Sequence, residues 1–259
     1  MSDLPATGTD VPIDALKTTI KRLPLIGRWA TDLHRRLRAS PGPFPGSRTY
    51  WVHRYRAGGH SGEGSRGFLA SYKADVLNKF VKEHAIRSVV ELGCGDGAQL
   101  ALAEYPSYVG YDISQEAVAR CKKRFAQDPS KRFEHIGPDS GILTAQLALS
   151  LDVIYHLVED PVFDEYMHLL FRAAERYVII YSSNHHDSGC GPPWIRHRRF
   201  TDWVESHRPD FQLQTRIDNP FPYERLGPRG SFSDFFIFAS GQSDTPARDW
   251  PRDGDSLLV

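Results

Sequence analysis

The feature that most constrains this chain is residues 87–97, which read Arg-Ser-Val-Val-Glu-Leu-Gly-Cys-Gly-Asp-Gly. The first half is a short apolar run, typical of a strand that is buried on both faces of a parallel sheet. Three glycines follow at alternate positions, and glycine lets the backbone adopt positive φ and approach a ligand closely. Residues 98–104 have strong helix propensity. The stretch therefore predicts a strand, a glycine-rich turn and a helix, a construction that binds anions through backbone N–H groups.

A second short apolar run, residues 108–112, ends in Asp112. In doubly wound folds, an acid about 20 residues beyond the first glycine accepts hydrogen bonds from a ribose diol, and Asp112 lies at that distance from Gly93. Both parts of a nucleoside site are therefore present. The pattern Gly93-x-Gly95-x-x-Ala98 also satisfies the dinucleotide fingerprint, so an NAD(P) cofactor is one interpretation.

Composition excludes several classes of protein. The length of 259 residues suits one domain with modest extensions, and the 32 basic and 32 acidic residues cancel, so no net field favours nucleic acid as a partner. Three irregularly spaced cysteines argue against a disulfide framework and for a reducing compartment. No apolar run approaches the ~20 residues that span a bilayer, and the N-terminus lacks the apolar core of a signal peptide. We expect a soluble cytoplasmic protein.

Segments at both ends differ from the rest of the chain. Residues 1–45 are predicted to be an N-terminal extension, in which residues 17–38 combine seven basic residues with an apolar side, and a Pro/Gly linker covers 39–49. A basic amphipathic segment can contact a membrane surface or a protein partner, although many helices packed on their own domain share this pattern. Residues 46–70 combine aromatic residues with a glycine-rich loop, which fits a lid over a ligand or a surface loop. Residues 241–259 are polar and predicted to be a disordered tail.

The main domain, residues 46–240, alternates helical and extended patterns. Further strands are predicted at 132–136, 145–151, 177–181, 211–217 and 232–238, and helices near 69–81, from Ser114 to about 125, from Asp160 to about 176, and from Thr201. This alternation implies an α/β, Rossmann-like, doubly wound and mostly parallel seven-stranded sheet with helices on both faces. The connection between the last two strands is too short for a helical crossover, so we expect a C-terminal antiparallel hairpin.

Two motifs resemble those of class I S-adenosylmethionine (SAM)-dependent methyltransferases. Residues 91–97 match the first motif, E/D-x-G-x-G-x-G, and residues 149–157 (Leu-Ser-Leu-Asp-Val-Ile-Tyr-His-Leu) resemble the later motif at the end of strand four. The resemblance covers roughly residues 70–240, and a closing hairpin is typical of the same family. It implies SAM as cofactor and methyl transfer to a small-molecule or glycan acceptor, with a hydroxyl (O-methylation) favoured. An NAD(P)-dependent oxidoreductase and a non-catalytic SAM-binding scaffold recruited by the basic N-terminal arm stay open as alternatives.

The resemblance also implies a cofactor site. Glu91 would help to order the glycine loop, Asp112 would accept hydrogen bonds from the ribose hydroxyls, and Asp139 would meet the adenine amino group. The implied cofactor-binding residues are Glu91, Gly93, Cys94, Gly95, Asp112, Ile113, Asp139 and Leu151. Asp139 follows Gly137-Pro138, so a place in an ordinary turn is an alternative role for it.

Catalysis is expected from side chains that follow strand four. His156 is the candidate general base for a hydroxyl acceptor, or else a residue that shapes the pocket, and Asp152 is expected to contact the cofactor or the acceptor. Asp152 and Asn184 also fall where some metal-dependent O-methyltransferases place ligands, but adjacent histidines after strand five fix no geometry, and we expect no metal. The basic run 196–199 fits a solvated face or a clamp for an acidic acceptor.

Overall fold

The structure is a computed structural model that describes residues 43–137, 140–186, 189 and 191–241. Internal contacts divide the chain into two units, Met1–Phe44 and Pro45–Val259, and the second contains the sheet. The predictions for the basic segment, for the tail beyond residue 241 and for Asp139 lie outside the described residues. Among the residues that the structure describes, no helix is long and apolar enough to cross a membrane.

One sheet contains seven strands. They are β1 (Val89–Leu92), β2 (Tyr108–Asp112), β3 (Lys131–His135), β4 (Ala145–Leu151), β5 (Ala174–Ser182), β6 (Phe211–Ile217) and β7 (Asp234–Ser240). Their order in the sheet is β3-β2-β1-β4-β5-β7-β6. The first five strands pair in parallel, whereas β7 is antiparallel to both β5 and β6. The predicted doubly wound, mostly parallel sheet and its C-terminal antiparallel hairpin are confirmed.

Helices cover both faces of the sheet. They are α1 (Ser47–Arg56), α2 (Gly67–Glu83), α3 (Gln115–Arg124), α4 (Asp160–Arg172), α5 (Phe200–His207) and the short α6 (Tyr223–Leu226). Alternate side chains of a strand point to opposite faces, so Leu147 and Leu149 of β4 join a core cluster with α2 and α3, while Ala148 joins a second cluster with α4 and α5. The predicted N-cap is present, since the Ser114 hydroxyl accepts the Ala117 N–H at the start of α3.

The helix predicted for residues 98–104 is wrong. This stretch forms only a 3₁₀ turn, Leu100–Leu102. Gly97 and Pro106 bound it so closely that an α-helix would be less than about two turns long, and such short helices are marginal unless packing supports them. The Gln99 side chain instead donates to the Ala70 carbonyl of α2, 3.0 Å away.

Two other boundaries also differ from the sequence prediction. The Pro/Gly linker predicted to reach residue 49 ends earlier, because α1 begins at Ser47, whose N–H and hydroxyl both donate to the Glu159 carboxylate. Helix α4 ends at Arg172 rather than near 176, because β5 already begins at Ala174, which pairs with Ala145 of β4. In both places a tertiary contact outweighs the local pattern.

The sheet edge formed by the carboxyl ends of the parallel strands positions the site. Strands β1, β2 and β4 end side by side, and Gly93, Asp112 and Asp152 lie at these ends. The described part of the connection from β3 to β4, residues 136–137 and 140–144, contains no helix. Open α/β sheets bind ligands outside the carboxyl ends of their strands, and this edge holds the predicted cofactor loop.

Candidate functional site

A cavity of about 280 Å³ lies at this edge of the sheet. Every predicted site residue that the structure describes lines it: Glu91, Gly93, Cys94, Gly95, Asp112, Ile113, Leu151, Asp152 and His156. Asp139 is outside the described residues, but Gly137 and Ser140 on either side of it also line the cavity. The structure therefore brings the predicted cofactor and catalytic residues together around one space.

The glycine loop after β1 needs its glycines because other groups touch its backbone. Gly93 and Gly95 have φ of +85° and +58°, in the region that disfavours residues with a Cβ. A Cβ at Gly93 would lie 2.6 Å from Val153 Cγ2, and one at Gly95 would lie 2.3 Å from Ser61 Oγ. The loop thus presents bare backbone to the cavity, as the approach of a ligand requires.

Asp112 connects β2 to the glycine loop. One carboxylate oxygen accepts the Gly95 N–H at 2.9 Å, and the other accepts the Ser114 N–H at 2.8 Å. Burial raises the pKa of Asp112 to about 6, and these two backbone donors act in the opposite direction. A carboxylate has about four lone-pair sites, so two acceptor positions remain for a ligand diol.

The cavity also holds a second buried acid and an unpartnered amide oxygen. The Glu91 carboxylate accepts the Tyr108 hydroxyl at 2.5 Å, and burial raises the pKa of Glu91 to about 7. The Gln99 amide nitrogen is used on α2, but its Oε1 atom is buried and has no hydrogen-bond partner among the described residues. A buried acceptor without a donor is costly, which indicates that a ligand donor belongs there.

Residues 47–66, which we call the cover segment, lie over the glycine loop. The Tyr55 hydroxyl contacts Ser61 Oγ at 2.9 Å, and Ser61 Oγ in turn donates to Asp96 of the glycine loop at 2.9 Å. Arg120 of α3 holds the segment from outside, because its guanidinium donates to the Tyr55 and Gly59 carbonyls, both at 2.6 Å. This placement is consistent with a lid over the ligand. Movement of the segment stays a prediction.

Asp152 lies at the end of β4 in an unusual conformation, with φ of +58°. Its carboxylate is fully engaged: Lys73 Nζ lies 2.6 Å from one oxygen, and the Tyr155 and Ser233 hydroxyls donate to the other, each at 3.1 Å. Lys73 is only 1% exposed. Asp152 therefore faces the cavity as half of an ion pair.

Lys73 was not identified as a site residue from the sequence, although a signal for its burial exists. Leu69, Lys73 and Phe80 recur at helical spacing, which places Lys73 on the apolar face of α2. All three side chains are buried. A lysine on that face requires a buried partner, since lysine is almost never fully buried unpaired.

His156 lies beside Asp152, in a short 3₁₀ turn after β4. Its Nδ1 atom lies 3.0 Å from the Trp194 carbonyl, and its ring meets the edge of Trp51 with centroids 4.7 Å apart. Desolvation lowers the pKa of His156 to about 4. The neutral ring donates Nδ1–H to the carbonyl and keeps the lone pair on Nε2, where it can accept a proton, but a pKa this low makes it a weak base at neutral pH.

Arg198 of the basic run 196–199 and Asn184, a candidate metal ligand, both have protein partners in the structure. Arg198 donates to the Leu157 and Val158 carbonyls, and these hydrogen bonds stabilise the loop after β4. The Asn184 amide pairs with the Thr201 hydroxyl and N–H. In the described ranges, no group of three His, Cys, Asp or Glu side chains is placed to hold a metal ion.

Comparisons with known proteins identify the fold. No protein-family model and no curated protein matches the sequence. Solved structures match, however: the N-methyltransferase NodS from Bradyrhizobium japonicum WM9 in complex with S-adenosyl-L-homocysteine (SAH) has 14% identity and a TM-score of 0.55, covering 68% of this chain and 89% of its own. The magnesium protoporphyrin IX methyltransferase ChlM from Synechocystis PCC 6803, with bound SAH, has 15% identity and a TM-score of 0.54, covering 75% and 99%.

The [4+2]-cyclase SpnF matches to a similar degree, with 13% identity, a TM-score of 0.53 and coverage of 76% of this chain and 97% of its own. The chain therefore has the Rossmann-like fold of class I SAM-dependent methyltransferases. Because a cyclase shares this fold, the reaction has to be inferred from the side chains of the site.

Proposed function

We propose that this protein is a SAM-dependent methyltransferase. The observation that carries the proposal is the Asp112 carboxylate at the floor of the cavity, joined by a hydrogen bond to the positive-φ glycine loop. This arrangement provides ribose recognition and close backbone approach in one place. The fold and the sequence motif at residues 91–97 support the same assignment.

The residues present fit the cofactor. Asp112 would accept the ribose hydroxyls, and Ile113 and Leu151 offer apolar walls to the adenine ring. The unpartnered Gln99 Oε1 and the buried Glu91 carboxylate suit the α-ammonium of the methionine portion. Asp139 stays a prediction for the adenine amino group. When bound, SAM supplies an electrophilic methyl group on a positively charged sulfur.

We infer that the acceptor is a small molecule or a glycan and that the methylated atom is a hydroxyl oxygen. His156 supports this choice by its position, because its imidazole lines the cavity and its Nε2 lone pair can take the hydroxyl proton. SAM would carry a positive charge that SAH lacks, so a proton held by His156 after transfer would leave the net charge of the cavity unchanged. Much of the rate would come from holding donor and acceptor in contact.

The alternatives are less well supported. An NAD(P)-dependent oxidoreductase is disfavoured by β7, which is antiparallel where a dinucleotide fold usually continues in parallel. A non-catalytic SAM-binding scaffold would give the half-buried His156, which lines the cavity, only the task of shaping it. The buried free thiols Cys94 and Cys121 and the absence of net charge are consistent with a cytoplasmic enzyme that does not bind nucleic acid.

The test is thermal unfolding with SAH, SAM, NAD⁺ and NADP⁺ in parallel. A ligand at about 100 times its dissociation constant stabilises a protein by ~2.7 kcal/mol, which is a readily measured rise in Tm. We expect SAH and SAM to raise the Tm of the wild type and of the surface control Asp202→Ala, but not of Asp112→Ala. A response to NAD⁺ or NADP⁺ alone would overturn the proposal.

A ligand fragment tests the assignment of Gln99. Methylthioadenosine shares the nucleoside of SAH but lacks its amino-acid portion. We expect Gln99→Leu to weaken SAH binding about tenfold and to leave methylthioadenosine binding as in the wild type. Only SAH carries the ammonium group from which Gln99 Oε1 would accept a hydrogen bond. Equal weakening of both ligands in calorimetric titrations would show that Gln99 acts on the loop as a whole.

A further inference from the structure

The Lys73–Asp152 ion pair joins parts of the chain that are far apart in sequence. Lys73 belongs to α2, Asp152 ends β4, and Ser233 precedes β7. The cover segment also approaches the ion pair, because a Cβ at Gly64 would lie 3.0 Å from an Asp152 carboxylate oxygen. The pair lines the cavity instead of lying in the apolar core.

Stability alone does not explain this pair. Taking two charges out of water costs several kcal/mol per ion, and a buried pair often contributes no more than apolar residues of the same volume. The positive φ of Asp152 adds backbone strain, typically on the order of 1 kcal/mol or more. A strained residue and a buried ion pair beside a ligand cavity are better explained by the positioning of neighbouring side chains than by a gain in stability.

The geometry that the pair holds leads to His156. Tyr155 and His156 lie in one 3₁₀ turn, Ile154–His156, and the Tyr155 hydroxyl donates to the carboxylate that Lys73 neutralises. The two rings also pack together, with centroids 4.4 Å apart. The turn is thus anchored at Tyr155 by Asp152 and at His156 by the Trp194 carbonyl.

We propose that Lys73 is a positioning residue: acting through Asp152 and Tyr155, it fixes the turn that carries His156, so that Nε2 of the imidazole faces the acceptor. The role of His156 as base rests on the proposed function, whereas the structural coupling does not. Without Lys73, the Asp152 carboxylate is a buried charge without its cation, and it would turn toward water and release Tyr155.

The test observes the His156 ring itself, by ¹⁵N NMR of histidine-labelled protein. A His156→Gln spectrum identifies its signals, and nitrogen shifts report the tautomer. We expect wild type and the exposed-lysine control Lys82→Met to show an Nδ1-protonated ring that does not titrate between pH 5.5 and 8. In Lys73→Met and Tyr155→Phe, we expect mixed tautomers and a titration midpoint at least one unit higher. The charged or titratable groups facing this ring are Asp152, Arg54 and His197.

Two further comparisons keep the proposal falsifiable. Tyr155→Phe retains every charge, so a wild-type His156 spectrum in this variant would overturn positioning, even if Lys73→Met changed the ring electrostatically. Lys73→Arg should restore most of the wild-type signal, and Tyr155→Phe carries the test if Lys73→Met fails to fold. SAH binding by Tyr155→Phe should persist. If the wild type does not bind SAH, the proposed function is refuted, whereas the coupling of Lys73 to His156 is not.

Discussion

Asp112 carries a pH dependence that ligand binding should reveal. Burial raises the pKa of this carboxyl to about 6 in the ligand-free protein. Ribose hydroxyls donate to the ionised form, so below pH 6 binding must first displace a proton. We predict that SAH affinity levels off above about pH 8, because Glu91 also has to ionise, and that protonation of Asp112 adds a fall toward tenfold per pH unit below pH 6. Calorimetric titrations from pH 5 to 8 measure it.

Asp112→Asn is the matched control, because it keeps the size of the side chain but does not ionise. At pH 7.5 it should bind SAH more weakly than the wild type, and below pH 6 its affinity should fall less steeply, because only the titration of Glu91 remains. A wild-type affinity that does not change over this range would contradict the assignment of Asp112 to the ribose.

Gly95 and Gly67 offer a matched pair at nearly the same backbone conformation. Their φ values are +58° and +56°, but a Cβ at Gly67 meets nothing within 4 Å, whereas one at Gly95 meets Ser61 Oγ and Tyr55 OH. Both alanine variants should lose about 1–2 kcal/mol from the left-handed conformation. We predict a further ~1–3 kcal/mol of destabilisation in Gly95→Ala, from overpacking against the cover segment. Urea unfolding of both variants gives the difference, and equal losses would refute the close packing.

At the scale of elements, Arg120 of α3 adds to the Ser61–Asp96 contact that holds the cover segment on the glycine loop. Arg120 donates to the Tyr55 and Gly59 carbonyls, and no other guanidinium in the described residues bonds to these two oxygens. We predict that Arg120→Ala releases residues 57–66, so that trypsin cleaves after Arg66 several-fold faster than in the wild type. SAH should slow the cleavage. Lys123→Ala, on the exposed side of the same helix, should be cleaved at the wild-type rate. If Arg120→Ala is also cleaved at that rate, the bonds from Arg120 do not hold the cover segment in place.

The sheet could largely be predicted from the sequence, because the central strands β1, β2, β4 and β5 are local apolar runs bounded by turn residues. Strands β4 and β6 have the predicted bounds, and β7 is shifted by two residues, to the register in which Asp234 pairs with Ser182. The helix after the glycine loop was wrong because propensity over seven residues does not overcome the cost of starting a helix. Local patterns therefore predicted the elements whose length alone makes them stable.

The site could be predicted in its loops but not in its partners. Gly93, Gly95 and Asp112 follow from motif spacing, and the structure places them at one cavity. The bonds that engage Asp152 come from Lys73 and Ser233, 79 and 81 residues away in sequence. Such contacts depend on how the elements pack, and neither periodicity nor spacing reports them. The dinucleotide fingerprint shows the limit of one short motif, because the antiparallel β7, which the sequence predicted and the structure confirms, argues against it.

At the scale of the whole molecule, the site lowers the stability of the fold. Glu91 is 5% exposed, and burial raises its pKa from an ordinary 4.5 to about 7. Between these values the folded protein keeps a proton that the unfolded chain releases. This contribution to stability is fully present below pH 4.5 and is lost as pH rises through 7. Above pH 7, the folded protein holds a buried carboxylate that Lys73 only partly offsets.

Glu91→Gln removes this charge and keeps the shape of the side chain. We predict that the unfolding free energy of Glu91→Gln rises relative to wild type between pH 5 and 8, by up to about 3 kcal/mol at roughly 1.4 kcal/mol per pKa unit. The exposed control Glu83→Gln should show no such change over this range. SAH binding should weaken in Glu91→Gln, since an amide attracts the methionine ammonium less than a carboxylate does. Suppose that urea unfolding gives the same free-energy difference between Glu91→Gln and wild type at pH 5 and at pH 8. Glu91 is then ionised in the folded protein throughout, and its burial does not lower the stability of the fold. If the difference grows as expected, the buried acid is kept for binding at the expense of stability, which is the usual relation between a functional site and the fold that carries it.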